Sequence, residues 1–343
     1  MTSGTANSEA SVLRGPVLWN RFCGICGNAA HNQELRVQEL MFGSKASFTY
    51  LQCDECGCLQ LLDIPDDAGR FYPNEYYSYC GGEREVGVGR RLAGRLRASI
   101  VLRGWPLPSR VPGPTWRTWF PAGTTKDSAI IDMGCGNGAR LKSLRREGFT
   151  RLAGFDPLLP SEAVSPEGVD LSRTVKGEWL GAFDLVMFHH SLEHMPDQAK
   201  ALRLAVTLLR PGGEVLVRIP LSDSSAFNFY GRYWVQLDAP RHLFLHSRKS
   251  LSLLASQVAL EVTDVTYDST GFQFWGSELY QRGAQLHGTE TRQHFSPEVL
   301  KGFEREALRL NAEGRGDQAA FRLRRSIDVM EGGTDRRPHT GHL

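Results

Sequence analysis

The chain has 343 residues and no apolar run near the roughly 18 that a membrane-spanning helix needs. It has no excess of either charge: Lys plus Arg total 40 and Asp plus Glu 38, for a net +2. Global charge therefore gives no reason to expect nucleic acid as a partner. Met1 to Glu9 carry neither a basic nor an apolar leader segment, so no secretory signal is expected and the cytoplasm is the expected compartment. No disulfide framework is expected either, since the cysteines number seven, an odd count, and no export signal is expected. No internal repeat is visible. What is present is ordinary globular composition, 41% hydrophobic and 23% charged, in a chain long enough to bury a full core without staples. The length predicts one large domain and a smaller one.

Five of the seven cysteines fall between Cys23 and Cys58. They include Cys23-Gly-Ile-Cys26-Gly and Cys53-Asp-Glu-Cys56-Gly. Cys-x-x-Cys lets two thiolates of one turn face the same ion. The glycine after each pair tolerates positive φ, which turns backbone N–H groups toward the sulfurs. Cys23, Cys26, Cys53 and Cys56 together make the closed four-thiolate set of structural zinc. Cys58 and His31 are spare candidates. Phe48, Tyr50 and Leu51 before the second turn, and Leu59 and Leu61 after it, predict a hairpin.

The expected organisation is a tail over 1–18, a zinc-ribbon module over 19–80, and a basic helical linker over 81–126. A larger α/β domain over 127–325 and a second tail over 326–343 follow. Phe71, Tyr72, Tyr76, Tyr77 and Tyr79 either pack the ribbon against its neighbour or form a lid of tyrosines, with Tyr77 against the acceptor. In the linker, Arg90, Arg91, Arg95 and Arg97 interleave with Leu92, Leu96 and Ile100 at helical spacing. This is a solvated linker helix or one that touches membrane or nucleic acid.

From Asp127 strands alternate with helices, which predicts a doubly wound parallel sheet. Strands are expected at 129–132, 152–156, 184–188 and 214–219, and helices at 139–148 and 196–209. The turn Gly134-Cys135-Gly136-Asn137-Gly138 follows the first strand and also fits a dinucleotide fingerprint. Asp132, two residues earlier, would repel a pyrophosphate but attract the ammonium and sulfonium of S-adenosylmethionine (SAM). Asp156, at the end of the second strand, stands where a carboxylate accepts from ribose hydroxyls.

Ile131 to Gly138 resembles motif I of class I SAM-dependent methyltransferases. Phe183-Asp184-Leu185-Val186 and Leu209-Arg210-Pro211-Gly212-Gly213 resemble its fourth-strand and pre-fifth-strand motifs, in the family's order and spacing. The resemblance implies a Rossmann-like seven-stranded α/β sheet with an antiparallel last strand. Glu261 to Asp268 and Gly271 to Trp275 are the candidate final strands. It also implies SAM over Gly134, Gly136 and Gly138.

Two clusters lie at the carboxyl ends of strands, where such sheets bind ligands. His189-His190-Ser191-Leu192-Glu193-His194 ends the fourth strand, with His189 toward the cofactor. Trp234 to Ser247 follows the fifth and offers Asp238 and Arg241, either as acceptor contacts or as a structural ion pair; an arginine can clamp phosphate or carboxylate. With the ribbon, the chain is similar over residues 20 to 325 to sugar C-methyltransferases and to zinc-ribbon methyltransferases of surface-polysaccharide assembly. His242-Leu243-Phe244-Leu245-His246-Ser247 matches the stretch that carries their base, which implies His242 as general base. His190 and His194 match the positions that hold acceptor. Ala239 stands where those enzymes have tyrosine, so the acceptor atom is carbon, oxygen or nitrogen. The expected partner is a small molecule, a nucleotide-linked sugar or polysaccharide precursor. The alternatives are an RNA methyltransferase held through ribbon and linker, and a binding module without activity.

Overall fold

The computed structural model describes residues 21–73, 87–108, 115–159, 163–165 and 167–326. The expectations for Tyr76, Tyr77, Tyr79, the 1–18 tail and residues 327–343 lie outside these. The first cysteine turn leads into a hairpin of β1 (Gln33–Gln38) and β2 (Ser47–Gln52), and the second turn into β3 (Leu59–Leu61). A basic helix, α1 (Val88–Leu102), follows. Next comes the alternating layer: β4 (Ala129–Met133), α2 (Ala139–Glu147), β5 (Arg151–Phe155), β6 (Ala163–Val164), β7 (Asp170–Ser172), β8 (Phe183–His189), α3 (Gln198–Leu208) and β9 (Leu209–Pro220). β4 is buried along its whole length, as a strand between two helical layers must be. Helix α2 starts and stops at glycines in the left-handed region, Gly138 at φ 74° and Gly148 at φ 105°. Asp197 caps α3 by accepting from Lys200 N at 2.8 Å.

The remainder runs α4 (Ser225–Tyr230), β10 (Phe244–Leu245), α5 (Arg248–Ser256), β11 (Leu260–Tyr267), α6 (Phe272–Gln281), α7 (Thr291–His294), α8 (Pro297–Ala312) and β12 (Gln318–Arg325). The main sheet has the order β11-β12-β9-β8-β4-β5-β7-β6, seven core strands plus the two-residue β6. β12 runs antiparallel between β9 and β11. The expected antiparallel strand therefore exists, at 318–325 rather than 271–275. Gly271 to Trp275 opens helix α6 instead. Its buried positions Gln273, Gly276, Ser277 and Tyr280 recur at helical spacing, a period that four consecutive bulky residues conceal.

The ribbon is built into this domain. β10, far along the chain, pairs antiparallel with β3 and completes a four-stranded sheet. Leu61 N donates to Leu243 O at 2.8 Å. Tyr50, Leu59 and Leu61 share one continuous apolar core with Phe188, Val217 and Leu245. Among the described residues no helix is long and apolar enough to cross a membrane.

Candidate active site

The glycine turn leaves β4 with Gly134 at φ 78°, Gly136 at 53° and Gly138 at 74°. A Cβ on Gly134 would lie 2.6 Å from the Ser191 Cβ, so backbone and the post-β8 turn approach as only glycine allows. Ser191 fixes that approach by donating to Met133 O at 2.6 Å. A cavity of about 620 Å³ opens above the turn, within the range of small-molecule sites. One end is lined by Asp132, Gly134, Gly136, Asn137, Arg140 and His189. The other is lined by Gln236, Asp238, His242, Phe272, Tyr280 and Leu286, with Met41 from the ribbon.

Asp132 is buried and its Oδ1 has no hydrogen-bond partner. Burial pushes its carboxyl up to about 8, opposed by Arg140. A buried carboxyl with an orphaned oxygen beside a glycine turn fits an incoming ammonium. Asp156 is also buried, and its oxygens accept from Gly136 N and Leu158 N, both at 2.9 Å. Each oxygen keeps a lone pair. His189 Nε2 accepts from Arg140 Nη2 at 3.1 Å, so its ring is fixed on the cavity wall.

Between the two ends stands His190, held at φ 53°, an uncommon conformation for a side chain of this size. Its Nε2 accepts from Arg218 Nη1, and its Nδ1 lies 3.3 Å from Glu193 Oε1. Burial, followed by the Arg218 charge, holds His190 well below the usual histidine range. Arg218 also donates to Asp268 Oδ2 at 2.7 Å and lies 4.6 Å over the Trp119 ring. Sequence reasoning missed Arg218. The available signal was a lone arginine in the apolar run Val215-Leu216-Val217-Arg218-Ile219, since a buried charge in a central strand needs a task.

His242 lines the second end of the cavity. Its Nδ1 lies 2.7 Å from Gln236 O. A carbonyl only accepts, so Nδ1 carries the proton and Nε2 is bare. Nε2 is 4.0 Å from Asp238 Oδ2. Burial, opposed by Asp238, lowers His242 and keeps the ring neutral. From the ribbon, Tyr50 Oη donates to His242 O at 2.6 Å.

Two of the expected acceptor residues sit behind this wall. The Arg241 side chain has no exposure. It donates to Asp238 Oδ1 from Nε at 2.9 Å and Nη2 at 2.5 Å, to Glu39 Oε1 at 2.9 Å, and to Phe71 O at 3.0 Å. With its donors engaged it cannot clamp a phosphate, and the structural ion pair is the reading that stands. Although burial pushes Asp238 up, the Arg241 guanidinium holds its carboxyl below the usual range, so an anion faces the cavity. His194 packs edge-on behind His242, ring centroids 4.8 Å apart, and its Nδ1 donates to Arg241 O at 2.8 Å. It packs against a lining residue and is not itself part of the cavity lining. Tyr72 Oη is 3.3 Å from His194 Nδ1.

Two groups have metal-ligand geometry. The Sγ atoms of Cys23, Cys26, Cys53 and Cys56 lie within 4.8 Å of one another, with Cys23–Cys56 at 3.6 Å and Cys26–Cys53 at 3.5 Å. Tetrahedral zinc–thiolate bonds of about 2.3 Å require sulfur spacings near ~3.8 Å. Ile25 N and Cys56 N point at Cys23 and Cys53 sulfurs, each at 3.4 Å. Gly27 and Gly57 have φ 76° and 72°. Cys58 and His31 are outside the group. Glu193, His194 and His242 also bring ligand-capable atoms within 4.8 Å of one another.

Residues 109–265 match the model of a protein family described as "Methyltransferase domain". The ubiquinone biosynthesis O-methyltransferase of Escherichia coli O127:H6 (strain E2348/69 / EPEC) is 32% identical over 124 residues, 33% of this chain and 49% of that protein. The protein of the same name from Shigella boydii serotype 18 (strain CDC 3083-94 / BS512) gives the same values. The chain spans about half the length of the curated relatives it matches. Among solved structures, 1,6-didemethyltoxoflavin-N1-methyltransferase of Burkholderia thailandensis is 14% identical, covering 81% of this chain and 96% of that one, with a TM-score of 0.40. A SAM dependent methyltransferase from Archaeoglobus fulgidus is 16% identical, covering 58% and 86%, with a TM-score of 0.35. The matched family and the strand order agree on a Rossmann-like methyltransferase fold.

Proposed function

We propose that this chain transfers a methyl group from SAM to a small hydroxylated acceptor, with His242 as general base. The observation that carries the reading is the tautomer and position of His242. It shares one cavity with the glycine turn and presents a bare Nε2 on a neutral ring. Bound SAM supplies an electrophilic methyl group on a sulfonium. Asp132 would hold its ammonium, Gly134 to Gly138 its methionine part, and Asp156 its ribose, with His189 against the same end. His242 Nε2 takes the acceptor's proton, which makes the oxygen or carbon nucleophilic. Arg241, Gln236 and Tyr50 keep the imidazole in place.

The acceptor class we propose is a nucleotide-linked sugar or polysaccharide precursor. It is supported by Asp238 and Gln236, which can accept from sugar hydroxyls, and by Phe272 and Tyr280, which offer ring faces. The match of His242 to Ser247 with sugar C-methyltransferases points the same way. A second reading, a phenolic hydroxyl, is favoured by the apolar wall of Met41, Val235 and Leu286 and by the ubiquinone biosynthesis relatives. No lysine or arginine among the described residues lines the acceptor end, so the charged part of a nucleotide sugar would be held elsewhere. We assign structural zinc to the four cysteines, because a site closed by thiolates leaves no open position for chemistry.

Labelled SAM offered with nucleotide sugars, hydroxylated aromatics or total RNA separates these readings. Label in the sugar pool supports the first, label in the aromatic pool the second, and label in RNA contradicts both. Turnover that requires an added divalent cation would instead assign Glu193, His194 and His242 to a metal and remove the base role.

A further inference from the structure

We propose that helix α1 attaches the chain to the surface of an anionic membrane. Val88, Leu92 and Leu96 follow one another at four-residue spacing and so form one line along the helix. They are 74%, 61% and 63% exposed, and Trp105 just beyond the helix end is 62% exposed. The opposite side carries Ala98, fully buried in the core that Trp116 and Leu144 share, with Val101 and Leu102 packed against it. The apolar line is thus not the side that seats the helix.

Residues 87–108 contain five arginines and no acidic residue. Arg95 and Arg103 are exposed beside the apolar line. A row of aliphatic side chains flanked by arginines, with a tryptophan at one end, is the pattern of a helix lying in a headgroup layer. The leucines enter the acyl boundary while the guanidiniums stay with lipid phosphates. A second copy of the chain fits poorly, since a two-fold contact would bring arginine against arginine. RNA would engage the arginines but leave Val88, Leu92 and Leu96 in water, and the only aromatic on the helix or its end is Trp105. The chain's balanced net charge of +2 makes this local cluster the source of attraction.

The zinc-replete full chain is sedimented with vesicles of phosphatidylcholine alone or mixed with phosphatidylglycerol. The mixed vesicles should carry down about tenfold more protein or better at low salt, and the excess should fall as salt is raised. Leu92→Glu with Leu96→Glu should abolish the excess, and Arg95→Gln with Arg103→Gln should reduce it several-fold. All these side chains are exposed, so SAM binding and circular dichroism should be unchanged. Binding to neither vesicle, equal binding to both, or an excess retained by the leucine pair overturns the proposal. So does RNA binding that the leucine pair leaves intact while vesicles capture nothing.

Discussion

A carboxyl group enclosed by protein is neutral until a cation arrives, and Asp132 is in that position. Burial pushes it up to about 8, so at pH 7 most molecules hold a proton there. An ammonium docking against Oδ1 favours the carboxylate, so SAM binding should release close to one proton at pH 7. Calorimetry in buffers of different ionisation enthalpy reads this directly. Release should fade as pH rises past about 8, and Asp132→Asn should abolish it. The histidine works with the opposite sign. Burial lowers His242, so its neutral form persists to lower pH than for a free imidazole. The acid limb of kcat should therefore lie below the ordinary histidine value, with a plateau above it. An acid limb at or above that value would mean another group is titrating. Most of these residues were legible as members of motifs. Their directions were not: sequence left Arg241 open between an acceptor clamp and an ion pair, and it is a buried strut whose second partner, Glu39, lies two hundred positions away.

At the level of elements, the ribbon and the acceptor wall are one construction. β3 pairs with β10, Tyr50 holds the His242 carbonyl, and Glu39 closes the Arg241–Asp238 network. Glu39→Ala leaves Arg241 paired with Asp238 but strips a buried hydrogen-bond acceptor from Arg241, Phe42 N and Ser44, and should lose about 1–3 kcal/mol in denaturant unfolding. Burial raises Glu39, but the Phe42 N–H and Arg241 more than offset this and hold it below the ordinary value. Its stabilisation is therefore complete above the unfolded-state value and is lost as pH falls through the lower folded one. If the four cysteines hold zinc as proposed, removing it by chelation or Cys26→Ser should lower kcat as well as stability, because the cysteine turn is continuous with the wall. A ribbon that merely tethered a partner would leave kcat unchanged. The cysteine spacing gave away the clustering of the two cysteine turns, but pairing of β3 with a two-residue strand at 244–245 leaves no mark in local sequence. The β4 and β8 runs, by contrast, announce themselves, since a strand buried on both faces is a near-continuous apolar run, broken here only by Asp132 in β4 and, near its ends, by Asp184 and His189 in β8. Gly271 to Trp275 misled for the converse reason: a short apolar run fits either period.

Across the whole molecule, the alternation of strands and helices from Asp127 onward dictates a doubly wound sheet, and the crevice at the carboxyl ends of its strands is where ligands collect. That much follows from pattern. The last strand, β12, was hidden because it comes after three helices and pairs back to β9 across nearly a hundred residues. The acceptor end was hidden for the same reason, since Met41, His242 and Tyr280 meet only in the folded chain. The central claim is that this cavity holds SAM at one end while His242 deprotonates an acceptor at the other. Its most direct test is single-turnover methyl incorporation by the parent chain and His242→Ala, with the SAM dissociation constant measured on both. The account predicts that the rate falls on the order of 10² to 10⁴-fold while the dissociation constant is unchanged. Equal incorporation by the variant, or a parent chain that binds no SAM, would contradict it.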